Sequence, residues 1–361
     1  MDKKMSGRVM EIELFRFLFS VMILFRHAEY LLGENLLFPG AAFGVEFFFL
    51  VSGYLMMASL EKMASIHTDD LGRETLLFLK KKAGAVYPEF FVSAAIGFTF
   101  QWFSRALSWD EVEKLLSESF FELTFLTRVG LGENNMNSVI WYVQAMLLGM
   151  LILYPLNRKY PKMMRTIIMP FAALVLLGYL NMKYGHLRSP SRWTGWTYKG
   201  NVRAIAELCL GAEAFFVVRW LKGMQFSRLG KTLLTALKWL CWIVIMVYMW
   251  NPLCDKDFFM LAVLWAAVVL AFSGQCLDVE IYRNKLVAFL GKFSLPIYLS
   301  HAFYCLYMSQ ILPEGMRYRY MLMWYVGCSV LTAFVVMYLA DVIRKKLPSL
   351  KAAMKRCFLV Q

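Results

Sequence analysis

Arg16 and His27 are the two residues whose types and spacing first suggest chemistry. On one helix, eleven steps of about 100° bring the chain to within about 20° of three full turns, so both side chains share a face about 16 Å apart. A histidine held in an apolar stretch is the side chain best suited to take up and return a proton near neutral pH. A second one, His301, lies deep in another apolar stretch that also carries Lys292, Ser294 and Tyr298. The chain has four histidines, and the other two, His67 and His186, fall in connecting segments. Glu46 comes shortly before Ser52 and Gly53, three lysines run together at Lys80, Lys81 and Lys82, and Arg203 lies four residues before Glu207, the spacing of a helical ion pair.

These groups sit in a chain that reads as an all-α membrane protein. Its 361 residues are 60% hydrophobic and only 18% charged, against the roughly 25% charge of a soluble domain, which excludes an ordinary water-soluble enzyme. Thirty Phe, 18 Tyr and 11 Trp exclude a disordered chain. A bilayer core of about 30 Å needs roughly 20 helical residues, and ten stretches of that size are predicted near 11–31, 41–60, 83–103, 139–155, 166–181, 202–218, 233–250, 257–273, 286–309 and 320–342. The remaining residues suffice only for connections, so residues 1–361 are expected to form a single membrane domain.

Basic residues are unevenly shared between alternate connections. With the N-terminus inside, twenty-four Lys and Arg fall on that side, from Lys3 and Lys4 to Arg356, against ten on the other, which predicts both termini cytoplasmic. This asymmetry accounts for the net charge of +14 without nucleic acid as a partner. The connection over about 104–138 is acidic and carries the period of a short interfacial helix. The stretch from Arg188 to Trp196 reads as an outer loop.

Ionisable groups inside a membrane helix face the bundle interior or a wet cavity, so each is a candidate for function and has a plainer reading beside it. Arg16 can snorkel to the inner headgroups while His27 marks the outer helix end. Ser52 and Gly53 suit close helix packing, the lysine run suits a topology signal, and Trp141 with Tyr142 suits an interfacial aromatic belt. Soluble-hydrolase and nucleotide-binding signatures such as G-x-S-x-G and the P-loop are absent, as are H-E-x-x-H and C-x-x-C, and no metal site is expected. The seven cysteines read as buried hydrophobes.

Arg16 and His27, the run Phe47-Phe48-Phe49-Leu50-Val51-Ser52-Gly53-Tyr54, the basic run leading to Tyr87-Pro88, Trp141 with its apolar helix, and the segment from Leu290 to His301 together resemble the integral-membrane acyltransferase 3 family. The resemblance covers about residues 8 to 345. It implies a ten-span bundle in a bacterial cytoplasmic membrane that moves acyl groups, most often acetyl, onto surface sugars. It further implies His27 as the catalytic histidine, Arg16 as its basic partner, and Lys80, Lys81 and Lys82 as residues that handle the acyl donor. Members often carry a second cation where this chain has Ala85, and commonly an aspartate where it has Glu46. No amino-acid racemase segment of the kind fused to a related subgroup follows.

The expected reaction is transfer of acetyl from acetyl-CoA to a hydroxyl of a glycan or lipid-linked sugar. His27 serves as base, with Glu46 or Glu29 offsetting the effect of burial on the ring, and Arg16 and the lysines meet the donor phosphates. Ser52, Tyr298 or His301 supplies a donor to the oxyanion. Trp141, Arg203, Lys292 and Ser294 are further polar or aromatic candidates around this site. The alternative is a small-solute transporter or flippase, for an amino acid such as serine, lined by the same groups without chemistry. No feature of the sequence forces a dimer.

Overall fold

The computed structural model describes residues 8–33, 37–66, 70–250 and 256–358, with side chains to residue 346. Lys3, Lys4, His67 and Cys254 lie outside the described residues, and the side chain of Cys357 is likewise not described. In chain order the helices are α1 (Met10–His27), α2 (Glu29–Leu32), α3 (Gly44–Met63), α4 (Leu71–Ser104), α5 (Trp109–Glu118), α6 (Phe120–Leu123), α7 (Trp141–Lys159), α8 (Pro161–Met163), α9 (Met169–Tyr184), α10 (Lys199–Lys222), α11 (Arg228–Trp250), α12 (Asp257–Ser273), α13 (Lys285–Ser300), α14 (Ala302–Tyr307) and α15 (Tyr318–Phe358). A π-helical turn, Met164–Ile168, joins α8 to α9.

Among the described residues, seven helices are long and apolar enough to cross a membrane, so the chain is a polytopic membrane-helix bundle. Three further expected spans behave differently. The 17 residues of α12 coincide with the expected 257–273 and form a shorter apolar helix. Helices α1 and α10 carry more charge than an apolar helix, including Glu11, Glu13 and Arg16 on the one and Arg203, Glu207 and Glu213 on the other. Much of that charge is turned inward: Glu11, Arg203 and Glu207 are all buried.

Other boundaries move for local reasons. Helix α4 begins twelve residues before the expected 83, capped by Asp70, whose side chain accepts from the Arg73 N–H. The lysine run therefore lies within a helix about 50 Å long, not at its start. The expected 286–309 span is interrupted, with α13 ending at Ser300 and α14 beginning at Ala302, and His301 stands at the break. The acidic connection holds α5 as an amphipathic helix, opened by a capping box in which the Ser108 N–H donates to Glu111 at 2.8 Å.

Two close approaches set the bundle. A Cβ on Gly53 of α3 would lie 2.2 Å from the Leu208 carbonyl oxygen of α10, and one on Gly211 would lie 2.1 Å from that of Leu50. Backbones this close require glycine on both sides, the small-residue contact that Gly53 suggests. Helix α1 meets α13 through a side chain, with Glu13 filling the space beside Gly291.

A buried polar clasp fixes the N-terminal end of α1. The Lys238 ammonium, fully buried, donates to Glu11 at 2.6 Å and Asp278 at 2.7 Å. The Trp242 and Trp239 indoles donate to the remaining carboxylate oxygens at 2.8 and 2.7 Å. With both acids so satisfied, the cluster ties α1, α11 and the segment before α13 together and serves structure.

Candidate functional site

The two intramembrane histidines meet. His27 Nδ1 is 2.7 Å from His301 Nε2, and the rings lie 5.0 Å apart at 26°. His301 is completely buried, while His27 retains some exposure. The break after α13 turns His301 toward α1. Its Nδ1 lies 3.2 Å from the carbonyl oxygen of Ile297, which can only accept. A neutral His301 therefore carries its proton on Nδ1 and leaves Nε2 as an acceptor. His27 must then donate from Nδ1, so the lone pair of a neutral His27 sits on Nε2.

An aromatic wall runs from this pair. Tyr298 packs edge-on to His301 at 5.9 Å and donates its hydroxyl to the Val139 carbonyl at 3.0 Å. Tyr142 crosses Tyr298 at 6.5 Å and shares a 3.0 Å hydrogen bond with Ser52. Phe48 packs at a tilt against both tyrosines, at 5.7 and 6.0 Å. Trp141 and Tyr142 thus point into the bundle, which corrects their placement in a lipid-facing belt; Trp141 is only 8% exposed. Arg16 is near enough for its charge to act on Tyr142 and on Lys82. The Arg16 side chain is one-third exposed and pairs with Glu13 at 3.5 Å.

Helical rotation sorts the remaining candidates. Ser294 precedes His301 by seven residues, nearly two turns, and is buried on its face. Lys292 precedes it by nine, half a turn out of phase, and pairs with Asp341 of α15. Its expected place beside the histidines is therefore corrected. In the lysine run, Lys82 is half-buried and lies over the Phe78 ring, 5.4 Å from its centroid, whereas Lys80 and Lys81 are exposed. One helical turn beyond Lys81 stands Ala85, and the Arg344 guanidinium of α15 donates to its carbonyl at 2.9 Å while pairing with Glu89. A cation from the last helix thus occupies the neighbourhood of the uncharged position, which spacing within α4 could not show.

Glu46 does not balance His27. It is buried and ion-paired with Arg203, whose Nε donates to Glu46 at 2.6 Å and to Glu207 at 3.2 Å. The guanidinium also donates to the Leu187 carbonyl at 3.2 Å and lies 5.6 Å from the Trp141 ring. Glu29 is likewise engaged, by Arg26. The ring that orients His27 is His301, and the expectation for either glutamate is corrected. The Arg203–Glu207 pair follows the spacing of the sequence, but Glu46 comes from another helix.

Residues with no sequence signal hold the wall in register. Glu122 accepts backbone N–H groups from Asn135, Met136 and Asn137 at 2.7 to 2.8 Å. The Asn137 amide then donates to Ser93 at 3.0 Å and to the Leu299 carbonyl at 2.9 Å, beside the break in α13. In the connection between α4 and α7, the backbone and hydroxyl of Ser108 hold the Glu111 carboxyl below its usual range.

The fold and its interior define a class: a polytopic membrane bundle whose core carries a histidine pair, a string of hydroxyl-bearing aromatics and two buried ion clusters. Residues 10–342 match the acyltransferase domain of the acyltransferase 3 family, and the chain belongs to that family. No curated protein and no solved structure gives a significant match.

Proposed function

We propose that the protein is an O-acyltransferase of the bacterial cytoplasmic membrane that moves acetyl from acetyl-CoA to a hydroxyl of an exported or lipid-linked carbohydrate. The observation that carries this reading is the hydrogen-bonded pair of His27 and His301, which leaves His27 Nε2 free as a base. Family membership supplies the reaction class.

The donor enters from the side of Lys82 and Arg16, where cations suit the phosphates of coenzyme A. About 16 Å of α1 separates Arg16 from His27, close to the reach of an extended pantetheine arm. The acceptor hydroxyl is too weak an acid to ionise unaided. As its oxygen bonds to the thioester carbonyl, its proton passes to His27 Nε2. His301 accepts from His27 Nδ1 throughout, so the charge formed on the imidazole is spread into a prepared hydrogen bond, the role of the orienting partner in other histidine-centred sites. Collapse of the tetrahedral adduct breaks the carbon–sulfur bond, and His27 returns the proton to the thiolate. The Tyr142–Ser52 pair supplies an O–H for the oxyanion.

The test is labelled acetyl transfer by purified protein in lipid discs. His27→Ala should leave a folded protein with transfer lowered by at least a hundredfold. Transfer retained by that variant would remove His27 from the chemistry.

A further inference from the structure

Trp141 lies between two arginines with opposite circumstances. Arg203, on one side, is neutralised by Glu46 and Glu207. Arg128 lies on the other, with its guanidinium 6.0 Å from the Trp141 ring and 5.0 Å from that of Tyr198. It is 8% exposed, and among the described residues no carboxylate pairs with it. Its side-chain hydrogen bonds are two long ones to a single hydroxyl, Ser191, at 3.2 and 3.3 Å. Its Nε is buried with no partner.

A guanidinium offers five N–H donors in a fixed fork, and burying one without an anion is unfavourable. Two aromatic faces offset part of that cost and satisfy none of the donors. Burial depresses the Arg128 pKa, an effect that the nearby Tyr198 and exposed Glu133 oppose through space. The position is held from behind, since Asn201 donates to the Arg128 carbonyl at 2.7 Å. Ser191 is exposed, so the end of the fork it contacts is one hydroxyl away from the surrounding water.

We propose that Arg128 is the anchor of an anion site which takes a carboxylate or phosphate group carried by the acceptor, with Ser191 as its second donor and Trp141 and Tyr198 as its walls. The inference rests on the acyl-transfer reading and narrows the acceptor to an anionic one. Phe49 packs against both Trp141, at 6.1 Å, and Tyr142, at 4.7 Å, so a group held here places the rest of the acceptor toward the aromatic wall that leads to His301.

The experiment titrates the full-length protein in neutral lipid discs, without acyl donor, using glucuronate, glucose 1-phosphate and glucose, and reads binding by calorimetry. At least one charged sugar should bind tenfold or more tightly than glucose; the tighter of the two identifies carboxylate or phosphate as the natural group. Arg128→Gln should abolish the preference, and Arg128→Lys, which keeps the charge and loses the fork, should retain part of it. Equal binding of all three sugars by the parent protein overturns the proposal, whether or not either variant folds. So does an undiminished preference in Arg128→Gln. His27→Ala should keep the preference while losing transfer, which separates failure of this inference from failure of the catalytic one.

Discussion

Replacing His301 by alanine tests the link between geometry and chemistry most directly. The substitution removes the acceptor 2.7 Å from His27 Nδ1 and leaves Arg16, Lys82 and the Tyr142–Ser52 pair in place. Two losses follow. The His27 ring is no longer held to the tautomer with its lone pair on Nε2, and the positive charge formed on it during transfer loses a hydrogen-bond partner. Removing the orienting partner of a catalytic histidine costs about 10⁴-fold where the tautomer is inverted. Here the ring is released and not inverted, so about a hundredfold loss in kcat is expected, equivalent to roughly 2.7 kcal/mol at about 1.36 kcal/mol per tenfold. KM for acetyl-CoA should stay within about threefold, because the cations proposed to meet the donor are untouched. His301→Gln places an amide oxygen close to the former Nε2 and should recover about tenfold of the loss. The assay is steady-state transfer of labelled acetyl in lipid discs, with thermal unfolding as the check on folding. A folded alanine variant that keeps more than about a third of kcat, or whose defect lies in KM alone, would refute the assignment of His301 as the group that positions His27.

Lys238→Met leaves Glu11 and Asp278 buried without their cation and should destabilise the protein by about 3 to 5 kcal/mol, read by thermal unfolding; an unchanged midpoint would show that the clasp carries no stability. Gly53→Leu should prevent α3 and α10 from approaching and lower the yield of folded protein, whereas a folded variant of normal stability would contradict the backbone contact at Leu208. Glu122→Ala frees three backbone N–H groups and with them the segment that reaches Leu299, so stability should fall by about 2 to 4 kcal/mol and transfer with it. Because the folded-state pKa of Glu111 is depressed, its contribution to α5 is present above the ordinary carboxylate value and is lost as pH falls through the depressed one. Amide protection over residues 108–112, taken relative to the intrinsic exchange rate at each pH, should fall in acid, and pH-independent protection would exclude the capping box as the cause.

Composition and hydrophobic run lengths determined the membrane class and the approximate place of the long helices, because burial in lipid demands long apolar helices. Local signals carried further, as in the period of the short helix in the acidic connection and in the small residue Gly53. Whatever depended on two helices meeting was decided by the tertiary structure. Spacing paired Arg203 with Glu207, and packing brought Glu46 to the same guanidinium. Residue types nominated Glu46 and Glu29 beside His27, and the break after Ser300 put His301 there instead. Arg344 reached Ala85 across more than 250 residues of chain, and Arg128 was left without an anion by neighbours that no local pattern connects. A sequence records which groups a helix offers; which group answers across the interior follows from crossing angles and depths that only the packed bundle fixes.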